Sequence, residues 1–366
     1  MKLLRPGGSV LVAAVMALLP LACRGTEALA DGLYAVIHTP KGNITAGLFP
    51  DKAPVAVANF VGLAEGTIPF EGRPAGKPFY DGLVFHRVVP DFVVQGGDPL
   101  GTGDGGPGYY FPDEFTPAAK HVKGALAMAN DGPNTNGSQF YFAISEVHRL
   151  NYKHTVFGVV HSGMDVLTNI QQGDPMERVQ IVRVGETGGA YHVTPESFAA
   201  LRAAARVIQP RDESLPPLYA NDGVDLDLPD WFPQWIADKL NHYQQVRGPE
   251  IFVRLYKKHA DMPGEPRESL RLLFKTLSAG NENACLLLYI ADEKRWRFWI
   301  GDTLVPVLTG LAGDFESDEA HHKLSEVKAR ILAPAKVEIE ADKPRRSIDA
   351  ATTSLIETLD AISAPN

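Results

Sequence analysis

Arg87 and Gln95 flank Phe92 and Val93 in the run Phe85-His86-Arg87-Val88-Val89-Pro90-Asp91-Phe92-Val93-Val94-Gln95-Gly96-Gly97-Asp98. A second run downstream, Ala127-Met128-Ala129-Asn130-Asp131-Gly132-Pro133-Asn134-Thr135-Asn136-Gly137-Ser138-Gln139-Phe140-Tyr141-Phe142, adds Ala129, Asn130, Gln139 and Tyr141. Arginine is always charged and presents its N–H donors in a fixed fork, so it can stabilise an electron-rich atom without exchanging a proton. A neighbouring amide can orient that fork, and apolar or aromatic side chains can supply a floor beside it. Chemistry of this kind needs no nucleophile and no metal. It works by preorganised electrostatics and by binding a strained arrangement better than a relaxed one.

The two runs closely resemble the active-site signature of the cyclophilins, which catalyse cis/trans isomerisation of X-Pro peptide bonds. Rotation about such a bond faces a barrier of roughly 18–20 kcal/mol, because the C–N bond is conjugated. A catalyst must hold the proline ring still and donate to the imide nitrogen as conjugation is lost. The resemblance implies that Arg87 is that donor, that Gln95 orients it, and that His154 closes the rim of the site. It implies a proline pocket made by Phe92, Val93, Tyr141 and Leu150, and a backbone-gripping groove made by Ala129, Asn130 and Gln139. No covalent intermediate and no cofactor is implied.

Three positions depart from the family pattern. Tyr141 stands for a phenylalanine, and its hydroxyl needs a partner if buried. Val93 replaces the more usual methionine and trims the pocket. Arg149 stands where eukaryotic members often carry a tryptophan that contacts cyclosporin, so weak cyclosporin binding is expected.

The elements that must position these residues are legible as short alternating runs. Leu33–His38 and Asn43–Phe49, joined by Pro40-Lys41-Gly42, read as a hairpin, and Ala53–Leu63 has helical spacing with Pro54 in the first turn. Further strands are expected at Leu83–Val89, Phe92–Gln95, Gly124–Met128, Gln139–Ile144, Thr155–Val160 and Val179–Val184, with a short helix at Met164–Gln171. Another helix, Pro195–Ile208, should pack back onto them. Many short strands with two helices fit the closed, all-β, eight-stranded barrel that the resemblance implies.

Residues 209–230 are rich in proline, aspartate and glycine and read as a linker between a 31–208 domain and a smaller 231–366 domain. The second domain is expected as α/β or α+β: a helix near 231–246, strand Glu250–Tyr256, a helix near 266–279, strands Ala284–Ile290 and Arg295–Ile300, then helices to 333 and at 347–363. This order, with Arg297-Phe298-Trp299-Ile300-Gly301-Asp302, weakly resembles the TPM domain.

At 366 residues, 45% hydrophobic and 22% charged, the chain has room for both domains. A formal charge of -9 without long Lys/Arg runs argues against nucleic-acid or anionic-membrane partners and favours an extended polypeptide client, which the resemblance implies contains proline. Lys2 and Arg5 ahead of an apolar run from Val10 to Leu19 have the layout of a secretory signal, too short for a transmembrane helix in the mature chain. Cleavage after Ala30 and lipid attachment at Cys23, within Leu19-Pro20-Leu21-Ala22-Cys23, both fit, and either route exports the chain to a periplasmic, envelope or secreted location. Cys285, inside an apolar strand, reads as a structural thiol.

Other motifs read as structure. Gly101-Thr102-Gly103-Asp104-Gly105-Gly106 has dinucleotide-site spacing but leads into Pro107-Gly108 and no helix, so it reads as a surface loop. His321-His322 have no metal-ligand spacing, and His86 reads as a hydrogen-bonded structural histidine. Besides an active isomerase, the residues also fit a catalytically weak module that grips proline-containing chains, or an envelope interaction protein whose role lies in the C-terminal domain.

Overall fold

The computed structural model describes residues 28–70, 76–262, 268–311 and 318–362. The expected leader, apart from residues 28–30, and Cys23 lie outside the described residues. In chain order the first domain contains β1 (Gly32–Thr39), β2 (Gly42–Leu48), α1 (Pro54–Glu65), β3 (Arg87–Val89), β4 (Val93–Gly96), β5 (Ala125–Met128), β6 (Phe140–Ala143), β7 (Val156–Ser162), α2 (Met164–Asn169), β8 (Arg178–Val184), α3 (Gly185–Gly189) and α4 (Pro195–Ala204).

The eight strands form one antiparallel sheet in the order β3-β4-β6-β5-β7-β2-β1-β8. The closed barrel expected from the sequence is not what the strand pairing gives. No ladder joins the two end strands, β3 and β8, among the described residues; the segments just before them meet through the isolated bridge Val84–Pro175 and through backbone hydrogen bonds from Gly82 to Met176, Phe85 to Asp174, Gly173 to Phe85 and Met176 to Leu83. Proline has no N–H to donate to a ladder, and β3 is only three residues long, so these contacts do not extend into a β3–β8 ladder. Strand β3 is correspondingly shorter than the Leu83–Val89 run suggested.

Alternation places Leu33, Ala35 and Ile37 of β1 and Ile44, Ala46 and Leu48 of β2 in one core. Helix α1 is buried on nearly every face, as expected of a helix apolar all round. Its Phe60 meets Tyr80, Phe140 and Phe157 at ring separations of 5.0, 5.4 and 5.4 Å. No side chain in its own first turn caps α1. Instead Glu114 accepts from the backbone N–H groups of Val55 and Ala56 at 3.0 and 2.9 Å, and burial pushes its carboxyl up to about 7.

The second domain contains β9 (Tyr219–Asp222), α5 (Phe232–Arg247), β10 (Glu250–Tyr256), α6 (Ser269–Ser278), β11 (Ala284–Ile290), β12 (Arg295–Ile300), α7 (Val305–Thr309), α8 (Asp318–Glu340) and α9 (Pro344–Ile362). Its sheet runs β12-β11-β10-β9, with β9, β10 and β11 parallel and β12 antiparallel at one edge. Strand β11 is buried along its whole length, the pattern of a central strand covered on both faces, and it holds Cys285 as an inert buried thiol. The segment read as a linker supplies β9. Its prolines obscure a four-residue edge strand that forms only because β10 offers a partner.

The domains share side chains. Tyr152 of the first domain is buried in the second domain's core, where its hydroxyl donates to Asp360 at 2.8 Å and its carbonyl accepts from His242 Nδ1 at 2.8 Å. Lys153 pairs with Asp238 at 3.2 Å, and His148 pairs with Glu357.

The His148–Glu357 pair makes this contact sensitive to pH. The Glu357 hydrogen bond raises the His148 pKa from 6.5, and the same bond lowers that of Glu357 from 4.5. The histidine contribution is complete below pH 6.5 and is lost as pH rises through its higher folded value. The glutamate contribution is complete above pH 4.5 and is lost as pH falls through its lower folded value. Denaturant midpoints of wild type and His148→Gln should therefore differ most between these two pH values and converge as pH rises beyond neutrality. A difference independent of pH would show that the pair contributes only packing.

Candidate active site: a groove at the domain seam

Strand register sets the site. Arg87 pairs with Gln95, Gln95 with Tyr141, and Tyr141 with Ala127, which gives one row across β3, β4, β6 and β5. Residues in such a row project on one face of the sheet. Arg87 Nη1 donates to Gln95 Oε1 at 3.2 Å, and Gln95 Nε2 donates to Gln139 Oε1 at 2.9 Å. Gln139 then donates to the carbonyls of Gly103 and Gly105 at 2.6 and 2.9 Å. The glycine-rich loop is therefore one wall of this groove, which its sequence gave no means of seeing.

Asp98 holds that loop. Its carboxylate accepts from the backbone N–H groups of Leu100, Thr102 and Gly103 at 2.8, 2.8 and 2.5 Å. These bonds keep its pKa below the usual carboxylate value despite burial, which acts the other way. A Cβ at Gly105 would lie 1.9 Å from Asp98 Oδ1, so only glycine fits there.

Beside the row lies an apolar patch of Val93, Tyr141, Leu150 and Val156, with Phe92 and Ala129 at its margin. The arginines Arg87 and Arg149 lie over the Phe92 ring, with Cζ 6.0 and 4.7 Å from its centroid. Trp235, on α5 of the second domain, packs against this patch. Val93, Tyr141 and Leu150 keep only 2, 4 and 5% of their surface exposed.

The Tyr141 hydroxyl finds its partner in His121, a residue the sequence reading missed. Asn151 Oδ1 accepts from both the backbone N–H and Nδ1 of His121, at 3.0 and 2.9 Å, which leaves Nε2 to accept from the Tyr141 hydroxyl at 2.8 Å. Burial lowers the His121 pKa to about 4 and that of His154 to about 3. His154 is turned inward, its Nδ1 3.1 Å from the Met128 carbonyl and its ring 5.5 Å from that of Tyr141. It therefore stays neutral near pH 7 and packs within the site's wall.

Asn130 is engaged from behind. Its Nδ2 donates to the Lys153 carbonyl at 3.1 Å and lies 3.4 Å from both Asp113 Oδ1 and Asn136 Oδ1. Asp113, whose carboxyl burial raises, also accepts from the Asn134 N–H at 2.7 Å and Asn136 Nδ2 at 2.8 Å. This buried carboxylate ties down the loop between β5 and β6 and leaves the Ala129–Asn130 backbone at the groove. Asp113 and His121 lie outside the two sequence runs, and nothing in their local sequence marks them, whereas Asp98 closes the first run.

His86 departs from its sequence reading. Both ring nitrogens are buried without a hydrogen-bond partner among the described residues, and desolvation lowers the pKa. His322 makes only an exposed pair with Glu326, and no cluster of three or more metal-ligating side chains occurs among the described residues.

A buried apolar patch, an exposed arginine hydrogen-bonded to a glutamine, and an adjoining polar groove thus lie side by side. Residues 34–186 match the family described as cyclophilin type peptidyl-prolyl cis-trans isomerase/CLD, and the chain belongs to that family of enzymes. It is 52% identical over 141 residues to the probable peptidyl-prolyl cis-trans isomerase A of Mycobacterium leprae (strain TN), across 37% of this chain and 77% of that protein. With the peptidyl-prolyl cis-trans isomerase B of Streptomyces anulatus it shares 45% identity over 170 residues, 43% of this chain and 97% of the relative. With the Helicobacter pylori (strain ATCC 700392 / 26695) peptidyl-prolyl cis-trans isomerase it shares 47% over 156 residues, 42% of this chain and 89% of the relative. The family match ends at residue 186, so it lends no support to the TPM resemblance of the C-terminal half.

The Tyr141 hydroxyl is structural. Tyr141→Phe should leave His121 Nε2 buried without its donor and cost about 1–3 kcal/mol, read as a lower denaturant midpoint with unchanged slope. Unchanged stability would mean that water replaces the hydroxyl.

Proposed function

We propose that the chain is an exported peptidyl-prolyl cis-trans isomerase that acts on X-Pro bonds of exported polypeptides. The observation that carries the mechanism is the chain of bonds Arg87–Gln95–Gln139, which holds a permanent cation at the mouth of an apolar patch. Arg87 would donate to the imide nitrogen as the bond twists, and because the guanidinium is fixed beforehand, little reorganisation is needed at that moment. Gln95 would orient it. Phe92, Val93, Tyr141 and Leu150 would receive the ring, Ala129, Asn130 and Gln139 would grip the backbone, and His154 would support the pocket wall. Rotation breaks no bond to a leaving group, so no nucleophile or cofactor takes part.

Export rests on the N-terminal Lys2, Arg5 and the following apolar run, with processing after Ala30 or acylation at Cys23. No helix among the described residues is long and apolar enough to cross a membrane. Outside the cytoplasm, slow proline isomerisation during folding would supply the need for such an enzyme.

Arg87→Ala should lower kcat/KM on an X-Pro peptide by about a hundredfold or more while leaving peptide affinity largely intact. Equal rates in both proteins would reduce the site to a binding groove. Trp235 packs against the apolar cluster that contains Val93, Tyr141 and Leu150; if it competes there with the prolyl ring, Trp235→Ala should raise kcat/KM roughly threefold or more, as expected when a competing occupant is removed. A fall in rate would instead make Trp235 a wall of the pocket.

A further inference from the structure

A cleft of about 850 Å³ opens where the two domains meet, and it begins at the candidate catalytic arginine. The first domain lines it with Arg87, Phe92 and Arg149, and the second with Trp231, Arg345 and Arg346. Among the described residues none of the four arginines forms an ion pair. Three carboxylates also line the cleft, but two are engaged elsewhere: Asp349 accepts from Lys239 at 3.3 Å, and Glu357 is bound to His148. Asp349 also favours the Arg149 cation from nearby, so Glu338 and an Asp349 shared with Lys239 face four guanidinium groups.

The placement of Arg345 and Arg346 runs against local electrostatics. They occupy the first turn of α9, where no acidic residue is present and the helix dipole already carries positive charge. Exceptions to a local rule of this kind are expected at functional positions. Aromatic faces hold the cations in place: Arg149 lies 4.7 Å over Phe92, and Arg345 lies 5.6 Å over Trp231, which is itself 54% exposed. A guanidinium seated on a ring keeps its N–H edge free for a planar oxygen pair.

From this we infer that the seam is an anion-binding subsite continuous with the catalytic groove, which takes Asp or Glu side chains of the client segment flanking the proline. The inference rests on the isomerase reading, since it takes the proline to sit at Arg87. A polypeptide suits the cleft better than a small anion because the arginines are spread between aromatic walls and lead directly from the peptide groove. The C-terminal domain thereby acts in specificity: it selects acidic proline-containing segments among the chains that the first domain could turn over.

The test uses the full-length protein and three labelled X-Pro peptides that differ only in carrying Glu, Gln or Lys at the flanking positions. Both kcat/KM and binding by fluorescence anisotropy are read at low and at physiological salt. Wild type should favour the Glu peptide over the Lys peptide by about three- to tenfold at low salt, with the preference shrinking as salt screens the charges. R345E/R346E should reverse that order and leave the Gln peptide unchanged. R345Q/R346Q, which adds no repulsion and so tests the same site if the first variant misfolds, should abolish the preference. Equal handling of Glu and Lys peptides by wild type, or a preference that survives either double substitution, overturns the inference. If no peptide is turned over, the isomerase reading fails by itself, and the anisotropy ranking alone decides the anion subsite.

Discussion

The register of four antiparallel strands is the constraint on which this site depends. Backbone pairing alone sets Arg87 beside Gln95, Gln95 beside Tyr141, and Tyr141 beside Ala127. Side chains alternate faces along a strand, so a slip of one residue in β4 would carry Gln95 to the core side and bring Val94 to the groove. The large apolar side chains of Val94, Phe140 and Phe142 on the opposite face resist that slip, because all three are buried in the main core. The same packing that stabilises the domain thus fixes the position of the polar row.

Around that row, buried polar groups convert loops into walls. Asp98 gathers backbone donors of the glycine-rich loop, Asp113 gathers asparagines from the loop after β5, and His121 takes the Tyr141 hydroxyl. A buried carboxylate without such donors would be costly, whereas one that is fully engaged makes the loop's conformation cooperative with the core. The groove is open to an extended chain, yet little in its walls is free to move independently.

The second domain changes what the first can do. Helix α5 lays Trp235 on the apolar patch, α9 brings two arginines to its mouth, and Tyr152 is buried in the partner core. A shared core and buried polar pairs make this more than a tether between independent units. Access to the patch and the charge around it are consequently properties of both domains, although the residues of the Arg87–Gln95–Tyr141 row belong to one.

The sequence by itself determined the family resemblance and most strands, and it singled out Arg87, Gln95 and Tyr141 of the cross-strand row, because those features depend on neighbours within a few positions. Arg87, Gln95, Gln139 and Tyr141 stand in two runs whose alternation is visible without a structure. The partners of these residues were not visible. Glu114 caps a helix that begins nearly sixty residues earlier in the chain, His121 satisfies Tyr141 from another loop, and β9 exists only beside β10. The sheet's open ends, the unsatisfied His86 and the placement of Trp235, Arg345 and Arg346 at the groove were likewise decided by tertiary contacts. Local propensity and periodicity are written along the chain, whereas the satisfaction of buried polar groups and the facing of two domains depend on which distant residues the folded backbone brings together.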